Sequence, residues 1–193
     1  MAEPRPEYEH LQFDDDAGWD AWLTVNGGSS EGVRLRIAKK SSAHTMPSYV
    51  EALDVALCHG WIDGRRNAFD DDFFLQTFTP RRAKSMWSTI NQEKVAVLIE
   101  AGRMREAGFR EIERAKADGR WEAAYAPASS IEVPPEFAAA LEANPEAAAF
   151  FATLTGSPRY AFLFRLHHLK RPETRTRRIA EYIALLTRHE TLP

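Results

Sequence analysis

The sequence has a single cysteine, Cys58, among its 193 residues. One thiol cannot form an internal disulfide, and nothing in the sequence indicates an oxidising compartment or a cysteine-based metal site. No apolar run reaches the roughly 18 residues that a membrane-spanning helix needs. The first residues are acidic, whereas a secretory signal would be basic and then apolar. We therefore expect a cytoplasmic protein without a membrane partner.

Several signatures of catalytic and cofactor sites are also missing. The six histidines show no HxH, HExxH or Cys-His spacing, and the adjacent His167 and His168 would point about 100° apart on a helix. The acidic runs at residues 14–16 and 70–72 lack the alternating oxygen ligands and the glycine of a calcium loop. GxSxG, GxGxxG and GxxxxGK[ST] do not occur. The sequence thus predicts no bound metal and no cofactor.

The two ends of the chain carry opposite net charges: the first has few bases and the last has few acids. Residues 1–31 carry eight acids and one base, whereas residues 159–188 carry eight bases and two acids. Two interpretations fit this asymmetry. Either the acidic segment docks on the basic C-terminal helices, or those helices form a surface for an acidic protein partner.

Hydrophobic periodicity predicts an α+β fold. Residues 32–39 alternate apolar and polar side chains, and the aromatic-rich runs 61–69 and 73–79 are joined by an acidic turn. Together they predict a small antiparallel three-stranded sheet packed with helices. One helix would begin with Asp16 as its cap, and Ser48 begins a second with the spacing of a capping box. The residues that we expect to be buried are Trp19, Trp22, Leu53, Leu57, Phe78, Leu98 and Ile112.

A segment rich in proline, serine and alanine divides the chain. We predict an α+β body over residues 1–125, a linker over residues 126–135 and a helical C-terminal unit over residues 136–193. Pro145 and Pro172 stand where prolines of a first helical turn belong.

Two segments concentrate aromatic and charged side chains. Residues 60–64 (GWIDG) lie between a helix end and a strand, and residues 79–88 (TPRRAKSMWS) precede a helix. Antiparallel pairing around Asp71 would bring them together, with Asp63 opposite about position 79. Guanidinium groups and the free N–H groups of a helix N-terminus bind anions, so we expect a small anionic ligand here. The candidate ligand-binding residues are Trp61, Asp63, Arg81, Arg82, Lys84, Ser85, Trp87 and Asn91.

Three other interpretations stay open. Asp63 would simply pair with Arg81 or Arg82, while the tryptophans fill the core. An enzyme of unspecified reaction would use Asp63 as a general acid or base and the same arginines as clamps. Nucleic-acid binding would use the arginines of the last helix, but the net charge of −3 disfavours it, and these arginines spread around the helix. The arginines concerned are Arg171, Arg175, Arg177 and Arg178.

Long blocks of the sequence resemble a family of bacterial proteins. These blocks are ALCHGWIDGRRNAFDDDFFLQTFTPRRAKSMWSTIN, LIEAGRMREAGFREIERAKADGRWEAAY and PEFAAALEANPEAAAFFATL. In this order they are similar to the YdeI/OmpD-associated (bacteriocin-protection, OmdA-like) proteins, and the resemblance spans nearly the whole chain. It implies that the C-terminal helical unit is the one that gives the family its name. It further implies a role in stress or antimicrobial-peptide resistance, or association with a porin.

Overall fold

The computed structural model describes residues 7–169 and 171–192. The chain divides into two compact units, Met1–Ala124 (unit 1) and Tyr125–Pro193 (unit 2). Unit 1 contains a sheet and helices, and the described part of unit 2 is built from helices, so the fold is α+β as predicted. No helix within the described ranges is long and apolar enough to cross a membrane.

Unit 1 contains a mixed sheet of four strands in the order β1-β2-β4-β3. β1 runs parallel to β2, and the other two pairings are antiparallel. The three predicted strands are therefore present and antiparallel, but the prediction of a three-stranded sheet is wrong because it lacks β1. That strand has three residues, too few to show an alternating pattern. The elements in chain order are β1 (Glu9–Leu11), α1 (Asp16–Asn26), β2 (Val33–Ala38), α2 (Tyr49–Cys58), β3 (Trp61–Ala68), β4 (Phe73–Pro80), α3 (Thr89–Glu100) and α4 (Glu106–Ala117).

One face of the sheet carries the core of unit 1. Val33, Leu35 and Ile37 alternate with half-buried residues along β2 and belong to the same apolar cluster as Trp19. The indole N–H of Trp19 donates to the carbonyl oxygen of Ala52 at 3.1 Å, which ties α1 to α2. Of the residues predicted to be buried, Trp22 is half-buried. The others are buried as predicted: Trp19, Leu53, Leu57, Phe78, Leu98 and Ile112.

Side-chain caps fix the starts of the first two helices. Ser48 and Glu51 form the predicted capping box of α2. The cap of α1 is Asp15, whose carboxylate accepts from the backbone N–H of Gly18 at 2.8 Å. The prediction of Asp16 as this cap is wrong by one residue, because consecutive aspartates offer the same capping chemistry.

The β3–β4 hairpin positions the two sequence segments that we expected to meet. Near the turn, Ala68 pairs with Phe74, in the predicted register. A β-bulge between Asp63 and Arg66 then shifts the pairing, so that Asp63 lies opposite Phe78, one residue from its predicted partner. A bulge of this kind inserts one unpaired residue and re-aims the side chains beside it.

Unit 2 is built around an aromatic core. The rings of Phe137, Phe151, Phe162 and Tyr182 meet edge to face, with centroids 5.0 to 6.5 Å apart. Such contacts add to the apolar area that these side chains bury. Prolines begin three of its helices. Within the described residues, the helices of unit 2 are α5 (Pro135–Glu142), α6 (Pro145–Thr153), α7 (Gly156–His167) and α8 (Pro172–Thr187).

Candidate functional site

A cavity of about 720 Å³ opens in unit 1, where α1, the end of α2, the β3–β4 pair and α4 meet. Trp61 and Arg81 line it, so both sequence segments contribute to its wall. The other lining side chains that carry or accept charge come from the end of α2 and from α4. They are His59, Arg105, Glu106, Arg110 and Glu111.

Two glycines allow α4 to approach the end of α2. A Cβ atom on Gly108 would overlap the carbonyl oxygen of Cys58, and one on Gly60, whose φ is +73°, would lie 2.8 Å from the carbonyl oxygen of Ala107. No side chain fits at such separations. The backbone N–H of Arg105 donates to the Cys58 carbonyl at 3.1 Å. The first turn of α4 is thereby fixed at the cavity wall.

Three side chains from different elements form a hydrogen-bonded chain at this wall. Nε2 of His59 lies 2.8 Å from Oδ1 of Asp20, and Nη2 of Arg105 donates to Oδ2 of Asp20 at 2.6 Å. Burial acts to raise the pKa of Asp20, but the hydrogen bonds from Arg105 and His59 outweigh it and leave the pKa lowered. Asp20 is therefore an ionised acceptor near neutral pH.

The ionised Asp20 determines which nitrogen of His59 carries the proton. A carboxylate only accepts hydrogen bonds, so Nε2 is the donor, and in the neutral form of the ring Nδ1 keeps its lone pair. His59 is 8% exposed and lines the cavity. Among the residues that the structure describes, Nδ1 has no hydrogen-bond partner. The neutral form of His59 thus offers an acceptor nitrogen from a mostly buried ring.

A second, smaller cavity of about 290 Å³ shares Arg105 with the first and is also lined by Cys58. Burial raises the pKa of the Cys58 thiol to about 11. A thiol with this pKa is protonated near neutral pH, and the thiolate is the reactive form. Cys58 therefore acts as a small buried apolar side chain.

The structure places several of the predicted ligand-binding residues in the interior. Trp61, Trp87 and Arg81 are at most 4% exposed, and Asn91 is also buried. The Arg81 guanidinium lies 3.6 Å from the centre of the Trp87 ring and donates to the carbonyl oxygen of Met86 at 3.2 Å. Arg81 is therefore held by the core, and it brings a positive charge to the cavity wall.

The remaining predicted residues lie on the loop after β4 or on β3. Arg82 and Lys84 are exposed, and the Ser85 hydroxyl accepts from the backbone N–H of Arg82 at 2.9 Å. Asp63 accepts from the hydroxyl of Tyr49 at 2.9 Å and forms no ion pair with any described residue. The pairing of Asp63 with Arg81 or Arg82 is therefore wrong, because Arg81 turns into the core.

The N-terminus of α3, where we expected anion binding, already has a side-chain cap. The hydroxyl of Ser88 accepts from the backbone N–H of Asn91 at 3.1 Å. By contrast, α4 begins after Arg105 without a side-chain cap, so N–H groups of its first turn keep their bonding capacity.

Acidic neighbours pair with most of the arginines singled out on α8. Arg178 donates to Glu181 at 2.7 Å, Arg177 lies 3.9 Å from the same carboxylate, and Arg175 lies 3.5 Å from Glu136. These pairs reduce the positive charge that α8 offers to a phosphate backbone. Docking of the acidic N-terminal segment involves residues 1–6, which lie outside the described residues, and it stays a prediction.

We expect Asp20→Asn to lower the free energy of unfolding by about 2 kcal/mol near neutral pH, because the charged hydrogen bonds to His59 and Arg105 are weakened. The folded-state pKa of Asp20 is lowered, so its carboxylate stabilises the fold above the unfolded-state pKa, and this stabilisation is lost as the pH falls through the folded-state pKa. Urea denaturation at successively lower pH should show the difference between wild type and variant shrinking below about pH 4.

The matched control for this experiment is Glu113→Gln, which removes the carboxylate of the Glu113–Lys116 pair, exposed on both sides. Exposed pairs contribute less than about 1 kcal/mol, so the control should change the unfolding free energy little. A difference between wild type and Asp20→Asn that stays constant down to acid pH would contradict the ionised state assigned to Asp20.

Two family models match the chain. Residues 11–111 match a domain of unknown function (DUF8412), and residues 130–189 match the family described as Bacteriocin-protection, YdeI or OmpD-Associated. No curated protein and no solved structure matches the chain. The resemblance seen in the sequence is confirmed for residues 130–189, which contain α5 to α8. Residues 130–189 are thus similar to the YdeI/OmpD-associated (OmdA) family, and the chain belongs to the DUF8412 family, whose model matches just over half of it.

Proposed function

We propose that unit 1 binds a small anionic ligand in the 720 Å³ cavity and that the protein is a cytoplasmic binding or stress-related module. The observation that carries this proposal is the composition of the cavity wall. Three guanidinium groups line it, against two carboxylates, beside the uncapped start of α4. Guanidinium groups and helix N-termini both bind anions in proteins.

Arg110 is the cation that is most available to a ligand. Its side chain is 65% exposed, and it pairs with Glu106, itself 88% exposed, at 2.8 Å. An exposed pair one turn apart on a helix contributes only a few tenths of a kcal/mol. A ligand carboxylate or phosphate can therefore replace Glu106 as the partner of Arg110 at little cost.

Arg105 and Arg81 have positions that hardly depend on a ligand. Arg105 is held by Asp20, and Arg81 by its stacking on Trp87. Fixed charges lose little conformational entropy when a ligand binds, which favours binding. Of the residues predicted from sequence, we propose that Trp61 and Arg81 form the wall, while Arg82, Lys84 and Ser85 lie on the neighbouring loop.

The enzyme hypothesis based on Asp63 has weaker support. Asp63 does not line the cavity, and its carboxylate already accepts from Tyr49. For unit 2, we propose that α8 contributes to a protein-binding surface, as the basic C-terminal sequence suggested. Its exposed Arg177 and Arg178 share the single carboxylate of Glu181, which leaves net positive charge to attract an acidic partner.

We expect a thermal-shift screen with inorganic phosphate, nucleotides and small carboxylates to find anions that raise the melting temperature, since a ligand of the folded state stabilises it by mass action. Arg110→Ala should weaken the apparent affinity for such an anion about tenfold, because one charge-assisted contact is lost. Its melting temperature without ligand should stay close to that of the wild type.

The matched control is Arg82→Ala, which removes an exposed guanidinium outside the cavity lining. This variant should bind the anion as the wild type does. Equal losses in the two variants would show that the anion responds to overall charge. A complete absence of shifts across the screen would refute anion binding.

A further inference from the structure

We infer that the ligand of this cavity is a small anion that also carries a hydroxyl group, and that Nδ1 of His59 accepts the hydrogen bond from that hydroxyl. The inference rests on the proposed anion site and specifies the chemical class of its ligand. Hydroxycarboxylates and phosphorylated polyols are the simplest members of this class.

Asp20 determines which ring nitrogen of neutral His59 carries the proton. Asp20 approaches the ring from α1 and accepts from Nε2, while Arg105 from the start of α4 holds the other oxygen of the same carboxylate. Both oxygens of Asp20 are therefore engaged by donors. The neutral imidazole consequently has its proton on Nε2 and its lone pair on Nδ1.

A bound anion would meet a lone pair at Nδ1 of His59. A carboxylate or phosphate oxygen has no proton to donate, so it would face a lone pair and gain nothing from His59. A mostly buried acceptor left without a donor costs free energy when a ligand excludes water from it. A ligand hydroxyl removes this cost and leaves the anionic group to the arginines.

The other charged groups of the wall do not take the role of accepting from a ligand hydroxyl. Arg81, Arg105 and Arg110 are donors only, so they attract the anionic group. The carboxylate of Glu111 already accepts from Arg114, and that of Glu106 is 88% exposed and stays hydrated when an anion takes its place at Arg110. The neutral form of His59 is therefore a mostly buried acceptor of the wall, and it is held in place by Asp20.

We test the inference with two pairs of probes that have equal charge and differ in hydroxyl groups: lactate against propionate, and glycerol phosphate against propyl phosphate. Isothermal titration calorimetry on the full chain gives the affinities, with inorganic phosphate as the reference anion. In the wild type, the hydroxylated member of each pair should bind at least about tenfold more tightly, because a site built to bond a hydroxyl discriminates against the analogue that lacks it.

Two variants, His59→Leu and Asp20→Asn, test whether His59 is the residue that distinguishes the hydroxylated probes. His59→Leu should bind both members of each pair equally, and His10→Leu, the exposed control on β1, should retain the wild-type preference. Asp20→Asn provides a variant that keeps His59. Because Arg105 only donates, the amide oxygen of Asn faces it and the amide N–H₂ faces Nε2, which moves the ring proton to Nδ1. The preference for the hydroxylated probe should then fall, because an Nδ1–H group can donate to the anionic oxygens as well as to a hydroxyl.

The outcomes separate this inference from the anion site on which it rests. Equal affinities within both pairs in the wild type would overturn the inference and leave anion binding intact. A preference that stays at the wild-type level in both His59→Leu and Asp20→Asn would also overturn it, since another residue would then form the hydrogen bond with the hydroxyl. If neither inorganic phosphate nor any of the probes binds, the proposed anion site itself fails.

Discussion

Replacing Trp19 by alanine is expected to lower the free energy of unfolding of unit 1 by about 4 kcal/mol, near the upper end for truncation of a buried aromatic side chain. Trp19 is 0% exposed. Its ring centre lies 5.5 to 6.1 Å from those of Trp22, Phe78 and Trp61. Its N–H also bonds the carbonyl of Ala52. The substitution removes contacts with α1, β3 and β4 together and leaves a cavity.

The measurement is urea denaturation followed by tryptophan fluorescence. All 5 tryptophans of the sequence precede the boundary at Ala124, so this signal reports on unit 1 alone. The control is Val25→Ala on the same helix, where the side chain is 79% exposed and the change should stay within about 0.5 kcal/mol. If Trp19→Ala costs no more than this control, the core of unit 1 is not organised around that indole.

Features of the fold that depend on neighbouring residues could be predicted from the sequence. The capping box of Ser48 and Glu51 spans three positions, and the β2 alternation repeats every second residue, so both can be read locally. β1 could not be read in this way. Its three residues pair with β2 across α1, and only that non-local pairing makes it a strand.

The candidate site was predictable only where it lies on the hairpin. Pairing of β3 with β4 placed Trp61 and Arg81 near one another, as their patterns suggested. His59, Asp20 and Arg105 belong to no motif: 39 residues separate Asp20 from His59, and 85 separate it from Arg105. Their contact depends on how α1, α2 and α4 pack, and no periodicity encodes that packing.

One sequence signal points to that packing, namely a glycine in the first turn of a helix. Glycine disfavours helix formation by up to about 1 kcal/mol relative to alanine, so its presence in α4 calls for a packing reason. That reason is the close approach of Gly108 to Cys58, which brings the start of α4 to the end of α2. The close approach also explains why Arg105 can reach Asp20.

Gly108→Ala is therefore expected to destabilise unit 1 by about 3 kcal/mol, although alanine is the better helix former. The added methyl group would overlap the carbonyl oxygen of Cys58. That oxygen belongs to the backbone and accepts from the N–H of Arg105, so it cannot move aside without breaking this bond. Tryptophan fluorescence during urea denaturation measures the loss, and the same thermal-shift screen should show weaker anion binding, because the first turn of α4 moves away from the cavity.

The matched control is Gly28→Ala, because Gly28 lines the same cavity and an added Cβ atom would meet no other atom within 4 Å. This variant should keep both the wild-type stability and the anion-induced shift. The two glycines thus separate a steric effect at the α2–α4 contact from the general effect of adding a methyl group near the site. A Gly108→Ala protein more stable than the wild type would mean that helix propensity dominates at this position. The close α2–α4 contact, and with it the joining of His59, Asp20 and Arg105 at the cavity wall, would then be refuted.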